Sequence, residues 1–358
     1  MKKRRRRRRQ RILTVILCLL MVCVLGAIAF FGKKILNGDS TRTQAYQENG
    51  YIGQPSGAAS SSVQEESQVP QTQESVEVTE TPTPTPEPTE TVQSISGEGL
   101  HSTHAILIRA EDGAVLMDKS GSEQTYPASI TKIMTAILAV ENLPDLEEQI
   151  TVPEEMFASL TEQGASVAGF YPYEKVSVRS LLYGVLLPSG ADACITLAEK
   201  IGGSEEGFVQ MMNEKAGELG LTGTHFANCT GLHDPQHYTT CRDLAELMRY
   251  CLKNETFRTV ITAHSYTTEA TDSHPEGITM YDSMFVKFDN SGISTTMANG
   301  FTVEGGKTGF TDEAGQCLAS FGELGGTEYI LVTTGAPAQV ASEIMSVQDA
   351  ETVYSRIS

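Results

Sequence analysis

From Gly38 to about Gly99 the chain holds almost nothing it could bury: Gln, Ser, Thr, Glu and Pro dominate, ending in Thr81-Pro82-Thr83-Pro84-Thr85-Pro86-Glu87-Pro88. Such a stretch cannot offset the entropy of ordering its own backbone. A compact core must therefore be built after residue 100, and anything before residue 38 is joined to it by a tether. Residues 32–100 are expected to be a disordered linker and residues 101–358 the one folded domain. A coil of about 60 residues averages roughly 45 Å end to end, and polyproline-like extension at about 3.1 Å per residue approaches 190 Å.

The N-terminus carries an address. Residues 2–11 contain nine Lys or Arg, and Ile12–Phe31 is twenty residues without a charge, closed by Lys33-Lys34. About twenty apolar residues span a bilayer, and the basic cluster stays cytoplasmic. The expectation is a cytoplasmic segment at 1–11, a transmembrane signal anchor at 12–31, and a folded domain on the outer side of the cell membrane. Ala27-Ile28-Ala29 keeps a second route open, a signal cleaved after Ala29 and a secreted product. The apolar run continues through Phe30-Phe31, which favours the anchor. The formal charge is −19, but residues 1–34 carry eleven basic and no acidic side chains, which leaves 15 basic against 45 acidic beyond them, a net −30. That balance excludes nucleic acid and anionic lipid as partners of the exported part.

Cys18 and Cys23 lie in the apolar span. Cys194, Cys229, Cys241, Cys251 and Cys317 form an odd set without metal-ligand spacing. Isolated buried thiols are expected, with a Cys229–Cys241 disulfide the alternative in an exported chain. No His-Glu-x-x-His pattern is present, so neither a zinc peptidase nor any other metal or cofactor is implied.

The chemistry begins at Ser129-Ile130-Thr131-Lys132, just after Pro127-Ala128 and ahead of the apolar run Ile133–Val140. A residue and its third neighbour share one helix face, so the Lys132 amine reaches back over the Ser129 hydroxyl. Serine is a weak nucleophile until a base takes its proton, and a desolvated lysine can do so. Two later stretches complete the pattern: Leu187-Pro188-Ser189-Gly190-Ala191-Asp192, a break between helical patterns, and Gly306-Lys307-Thr308-Gly309-Phe310, followed by a strand-like run from Gln316 to Phe321. In chain order these resemble Ser-x-x-Lys, Ser-x-Asn and Lys-Thr-Gly of the active-site serine penicillin-recognising enzymes. The nearest resemblance is to the low-molecular-mass serine-type D-alanyl-D-alanine carboxypeptidases. It runs over about 101–357 and includes Tyr126–Ala136, Phe226–Leu232, His237–Ala245 and Lys307–Gly315.

That resemblance implies an α/β (α+β) fold of the β-lactamase/transpeptidase type, an antiparallel sheet flanked by helices plus an all-helical lobe. It implies hydrolysis of the terminal D-Ala-D-Ala bond of peptidoglycan stem pentapeptides, with β-lactam antibiotics as inhibitors. Ser129 would be the nucleophile, Lys132 the proton acceptor and Ser189 a proton relay bridging toward Lys132 and Lys307. Lys307 and Thr308 would bind the substrate carboxylate, and Gly309 would let the peptide lie along the strand. The amides of Ser129 and Phe310 would form the oxyanion hole. With 49 residues following Gly309 in the sequence, the N-terminal span is expected to take the anchoring role of the C-terminal helix found in many relatives. The departure is Ala191, which stands where most relatives carry the asparagine and can neither donate nor accept a side-chain hydrogen bond. It motivates one alternative, a weak or inactive wall-binding protein. A class A-like β-lactamase is the other, and the absence of a Glu-x-x-Leu-Asn stretch opposes it. His225, His233, His237, His264 and His274 are read as structural or exposed.

The remaining pattern predicts a hairpin at Ala105–Ala110 and Ala114–Asp118 around Glu111-Asp112-Gly113, and helices over 178–187 and 191–201. It also predicts an Ser204-capped helix, a Thr240 capping box before Leu244–Leu252, strands at 317–321 and 329–334, and a helix over 339–357. No element is assigned to Thr151–Tyr173.

Overall fold

The computed structural model describes residues 94–338 and 343–358. The basic segment, the apolar run at 12–31 and almost all of the linker lie outside the described residues. Among those described, no helix is long and apolar enough to cross a membrane.

Strands β1 (His104–Arg109) and β2 (Val115–Lys119) pair as the predicted hairpin. Asp112 closes the turn by accepting from the Arg109 guanidinium and the Ala114 amide. A 3-10 turn at Ala128–Thr131 leads into α1 (Lys132–Asn142). Then come β3 (Gln149–Thr151), α2 (Met156–Glu162), β4 (Lys175–Ser177), α3 (Val178–Leu186), α4 (Ala191–Gly202) and α5 (Glu205–Glu218). Helices α6 (Cys241–Cys251) and α7 (Glu255–Ile261), the hairpin β5 (Ser265–Thr267) and β6 (Thr279–Tyr281), and α8 (Ser283–Ser291) complete the insert. The chain then returns through β7 (Thr302–Thr311), β8 (Gly315–Leu324), β9 (Thr327–Ala336) and α9 (Met345–Tyr354).

The five long strands form one antiparallel sheet in the order β2-β1-β9-β8-β7, so the first hairpin joins the last meander through β1 and β9. Alternation along the strands sorts side chains to two faces. Ile106, Ile108, Phe321, Ile330 and Val332 join the core shared with the helical insert. Ala105, Leu107, Leu318 and Leu331 pack with Phe288, Val347, Val353 and Tyr354 of α8 and α9. Helix α1 is buried from Lys132 to Ala139 on every side, which is why it carries an apolar run instead of a stripe.

Local signals explain most boundaries. Ser204 accepts from the Gly207 amide and Thr240 from the Asp243 amide, capping α5 and α6. The reciprocal half of the Thr240 box does not form: the Asp243 carboxylate accepts instead from Gly223 N and Thr224 Oγ1, tying a distant loop to the helix start. The last helix starts at Met345, later than expected, and residues 339–342 lie outside the described set. All five cysteines of the folded unit are buried free thiols, so Cys229 and Cys241 are not bridged.

The stretch that resisted assignment, Thr151–Tyr173, is organised from a distance. Asp192, fully buried at the start of α4, accepts from the amides of Ala168 (2.7 Å), Ala193 (3.0 Å), Gly169 (3.1 Å) and Phe170 (3.2 Å). One carboxylate thus satisfies three amides of a segment without ladder partners of its own. Asp192→Ala is expected to destabilise the domain by about 3 kcal/mol, measured by urea unfolding, because those buried donors lose their acceptor.

Candidate active site

Ser129 lies in the 3-10 turn, three residues before α1 begins. Ala128, which precedes it, is held at φ +46°, and the Thr131 hydroxyl donates to the Ala128 carbonyl at 2.8 Å. Side chains at i and i+3 eclipse in a 3-10 turn, and Lys132 Nζ stands 2.9 Å from Ser129 Oγ. Ser129 is half-buried and open to solvent on one side, whereas Lys132 is only 2% exposed. Burial lowers the Lys132 pKa, since the charged amine has lost its water. The Cys194 and Cys229 thiols oppose this little, because burial keeps them neutral, Cys194 being pushed up to about 12; the Asp192 carboxylate opposes it more weakly still. A second acceptor, the Thr230 carbonyl, lies 2.6 Å from Lys132 Nζ.

Ser189 occupies the turn between α3 and α4 at φ +66°, a left-handed conformation that costs a non-glycine residue about 1 kcal/mol or more. It is 7% exposed, and its Oγ has no hydrogen-bond partner among the described residues. The expected bridge to Lys132 and Lys307 is therefore not made, and both the donor and the acceptor of this hydroxyl are unspent. Ala191 is buried, with its amide donating to the Ser166 carbonyl at 2.8 Å.

The third motif lies on β7, an edge strand. Lys307 is fully buried, and its Nζ donates to the Thr308 carbonyl at 2.9 Å, so the cation sits beneath the strand and not on its rim. Burial lowers its pKa, the nearby Lys132 adds to that, and the buried Asp282 carboxyl opposes it. Gly309 has a reason beyond room for a peptide. A side-chain carbon there would stand 3.0 Å from the Ser129 amide nitrogen and 3.1 Å from the Pro127 carbonyl oxygen. Strand and nucleophile turn therefore touch backbone to backbone, at the residue before Phe310.

Sequence reasoning missed two contributors, Ser283 and Asp282, and the contact that a third, His237, makes. Ser283, at the start of α8, shares a 2.7 Å hydrogen bond with Thr308 Oγ1, and its amide donates to Leu187 O, so one residue links the second motif to the third. Asp282 caps α8 through the Met284 and Phe285 amides while facing Lys307. An Asx cap ahead of Met284 was a readable signal for α8, but nothing local marks its link to Thr308. His237 is structural, as expected, yet sits one residue from the proposed base. Its Nδ1 accepts from the Ala227 amide at 3.0 Å, so its proton is assigned to Nε2, which donates to Thr131 Oγ1 at 2.7 Å.

The sheet, the helical insert and the approach of these motifs define a chain of the transpeptidase-like fold. Residues 90–338 match the peptidase S11 family, D-alanyl-D-alanine carboxypeptidase, and the chain belongs to that family. It is 35% identical over 233 residues to the D-alanyl-D-alanine carboxypeptidase DacF of Bacillus subtilis, covering 65% of this chain and 57% of that one. It is 33% identical over 247 residues to a Streptomyces D-alanyl-D-alanine carboxypeptidase, covering 65% of this chain and 82% of that one. The solved Streptomyces K15 DD-transpeptidase superposes with a TM-score of 0.63 at 28% identity, covering 72% of this chain and 98% of that one.

Two outcomes follow from the geometry. Gly309→Ala should lower the rate of Ser129 acylation about tenfold, read with a fluorescent penicillin, because the nucleophile turn must move by a few tenths of an ångström. Burial holds the His237 pKa down at about 4, against 6.5 unperturbed. Between those values the unfolded chain binds a proton that the folded one does not. The resulting stability is complete above pH 6.5 and falls by about 3 kcal/mol as pH drops to 4. Urea unfolding at several pH values should show that slope, and His237→Gln should flatten it.

Proposed function

We propose that this protein is a serine-type D-Ala-D-Ala carboxypeptidase that trims peptidoglycan stem peptides and is acylated by penicillins. The observation that carries the reading is the 2.9 Å contact between the hydroxyl of half-buried Ser129 and the buried Lys132 amine. Family membership supports the substrate class. Ser129 Oγ attacks the carbonyl carbon between the two D-alanines as its proton passes to Lys132 Nζ. The Ser129 and Phe310 amides receive the developing oxyanion, an interaction worth about 2.7 to 4 kcal/mol per donor in such sites. The C–N bond then breaks, the departing D-alanine nitrogen takes the proton held on Lys132 Nζ, and an ester to Ser129 remains. Water attacks that ester as Lys132 accepts its proton, and Lys132 then returns that proton to the departing Ser129 Oγ, which releases the shortened peptide and restores the neutral amine. The substrate's terminal carboxylate lies at Thr308, whose hydroxyl Ser283 orients, within the field of Lys307.

The chain is further proposed to act outside the cell membrane. The basic run at 2–11 and the apolar run at 12–31 hold it there, and the residues up to 100 space it into the wall. A second reading, a wall-binding protein without turnover, is motivated by Ala191. The same experiment separates the two. A fluorescent penicillin should label the exported domain but not Ser129→Ala, and a diacyl-D-Ala-D-Ala peptide should yield free D-alanine with the native chain only. Label persisting in Ser129→Ala would remove that residue from its role; labelling without D-alanine release would favour the binding protein.

A further inference from the structure

A neutral amine has one lone pair and two N–H donors. For Lys132 to accept the Ser129 proton, the lone pair must face the serine and the N–H groups must be placed elsewhere. One acceptor is set against it for that purpose, the Thr230 carbonyl at 2.6 Å. That carbonyl belongs to a turn bonded from several sides. Asn228 Oδ1 accepts from the Gly231 amide (2.7 Å), the Thr230 amide (3.1 Å) and the Thr230 hydroxyl (3.1 Å), while Asn228 Nδ2 donates to the Leu232 carbonyl (2.9 Å). Thr135, three residues after Lys132 on α1, donates to the Cys229 carbonyl at 2.6 Å, and Glu205 accepts from the Cys229 amide at 3.1 Å. Gly231, at φ +82°, lies so close to the nucleophile turn that a side-chain carbon would come within 1.9 Å of the Ala128 carbonyl oxygen. Ala191, buried at the start of α4, has no polar atom on its side chain to offer.

We propose that Asn228 is a positioning residue for the base. It holds the Thr230 carbonyl on one N–H of Lys132, which aims the lone pair at Ser129 and provides the acceptor that Ala191 lacks. This rests on the reading of Ser129 and Lys132 as nucleophile and base. It assigns to the segment between α5 and α6 a part in catalysis that the three motifs do not include.

The test separates binding from acylation, using the exported domain and a fluorescent penicillin over a saturating concentration range. Asn228→Ala should lower the first-order acylation constant about 10- to 100-fold, since a misdirected base costs rate, and should leave the dissociation constant of the preceding noncovalent complex within about twofold. Thr230→Val removes one of the three bonds to Asn228 Oδ1 and should cost about three- to tenfold. Adding Ala191→Asn to Asn228→Ala should recover about tenfold, because a side-chain amide at 191 offers Lys132 another acceptor. Thermal melting reports whether each variant folds; should Asn228→Ala fail to fold, Thr230→Val, alone and with Ala191→Asn, carries the test. Folded variants that acylate within about twofold of the native chain, a loss confined to the dissociation constant, or no recovery in the double variant would each overturn the inference. A native chain that takes no label would sink the Ser129 reading and this inference together, whereas a labelled native chain with unaffected variants would sink this one alone.

Discussion

The desolvation of Lys132 is the constraint on which the rest of the site depends. An exposed amine is protonated at neutral pH and cannot take a proton from serine. Stripping its water makes the neutral form accessible, provided the surroundings do not restore the charge. The helical insert accomplishes this by burying α1 on all sides and setting Lys132 near Cys194 and Cys229, neither of which is ionised. Lys307, also buried, pushes the same way, and each cation makes the other harder to charge. Asp192, the nearest carboxyl on α4, is spent on four backbone amides and is itself resisted as an anion by its burial. Its fourfold commitment keeps it from acting as a plain counterion to the base.

Keeping the amine dry while leaving the alcohol wet requires backbone to approach backbone. Gly309 on β7 and Gly231 on the Asn228 turn both lie against the Ala128–Ser129 peptide, from different parts of the chain. Between them the nucleophile turn has little freedom, which is how Ala128 is kept at φ +46°. Ser189 is left-handed as well, and the two strained non-glycine residues flank the lysine network. Strain of this kind persists only where the surroundings over-determine it. Here the determinants are the Thr131 hydroxyl on Ala128 O, His237 behind Thr131, and the Ala191 and Ser283 amides around the Ser189 turn.

What was legible in the sequence was whatever is written locally. Alternation marked β1 and β2, turn chemistry marked Asp112-Gly113, and side-chain caps marked the starts of α5 and α6. The Ser129–Lys132 pairing was legible because it spans three residues. The three motifs marked the candidate site because they resemble those of a family. The unread parts are those in which one atom serves a distant partner. Asp192 looks like a helix-start acid but organises residues 168–170, and Asp243 looks like half of a capping box but serves residues 223 and 224. The Ser283 hydroxyl on Thr308 leaves no trace in local pattern, and the Thr230 carbonyl leaves none at all, since every residue has one. A missing side chain such as Ala191 is visible in sequence; a backbone group supplied in its place is not.

The distribution of charge completes the argument. The chain beyond residue 34 carries a net −30, yet the proposed substrate ends in a carboxylate and must enter the cleft. A uniformly acidic surface would repel it, and exposed lysines at the rim would be screened by salt within about 10 Å. Lys307 avoids both limits by lying under β7, where low dielectric strengthens its field at the Thr308 hydroxyl above it. The same burial that weakens its hold on a proton rewards an incoming anion, because a carboxylate at the strand edge favours the charged amine. Binding and protonation of Lys307 are thereby linked: substrate raises the affinity of this lysine for its proton, and the charged Lys307 in turn disfavours a proton on Lys132. An arriving carboxylate thus helps to keep the base neutral at the moment Ser129 needs it.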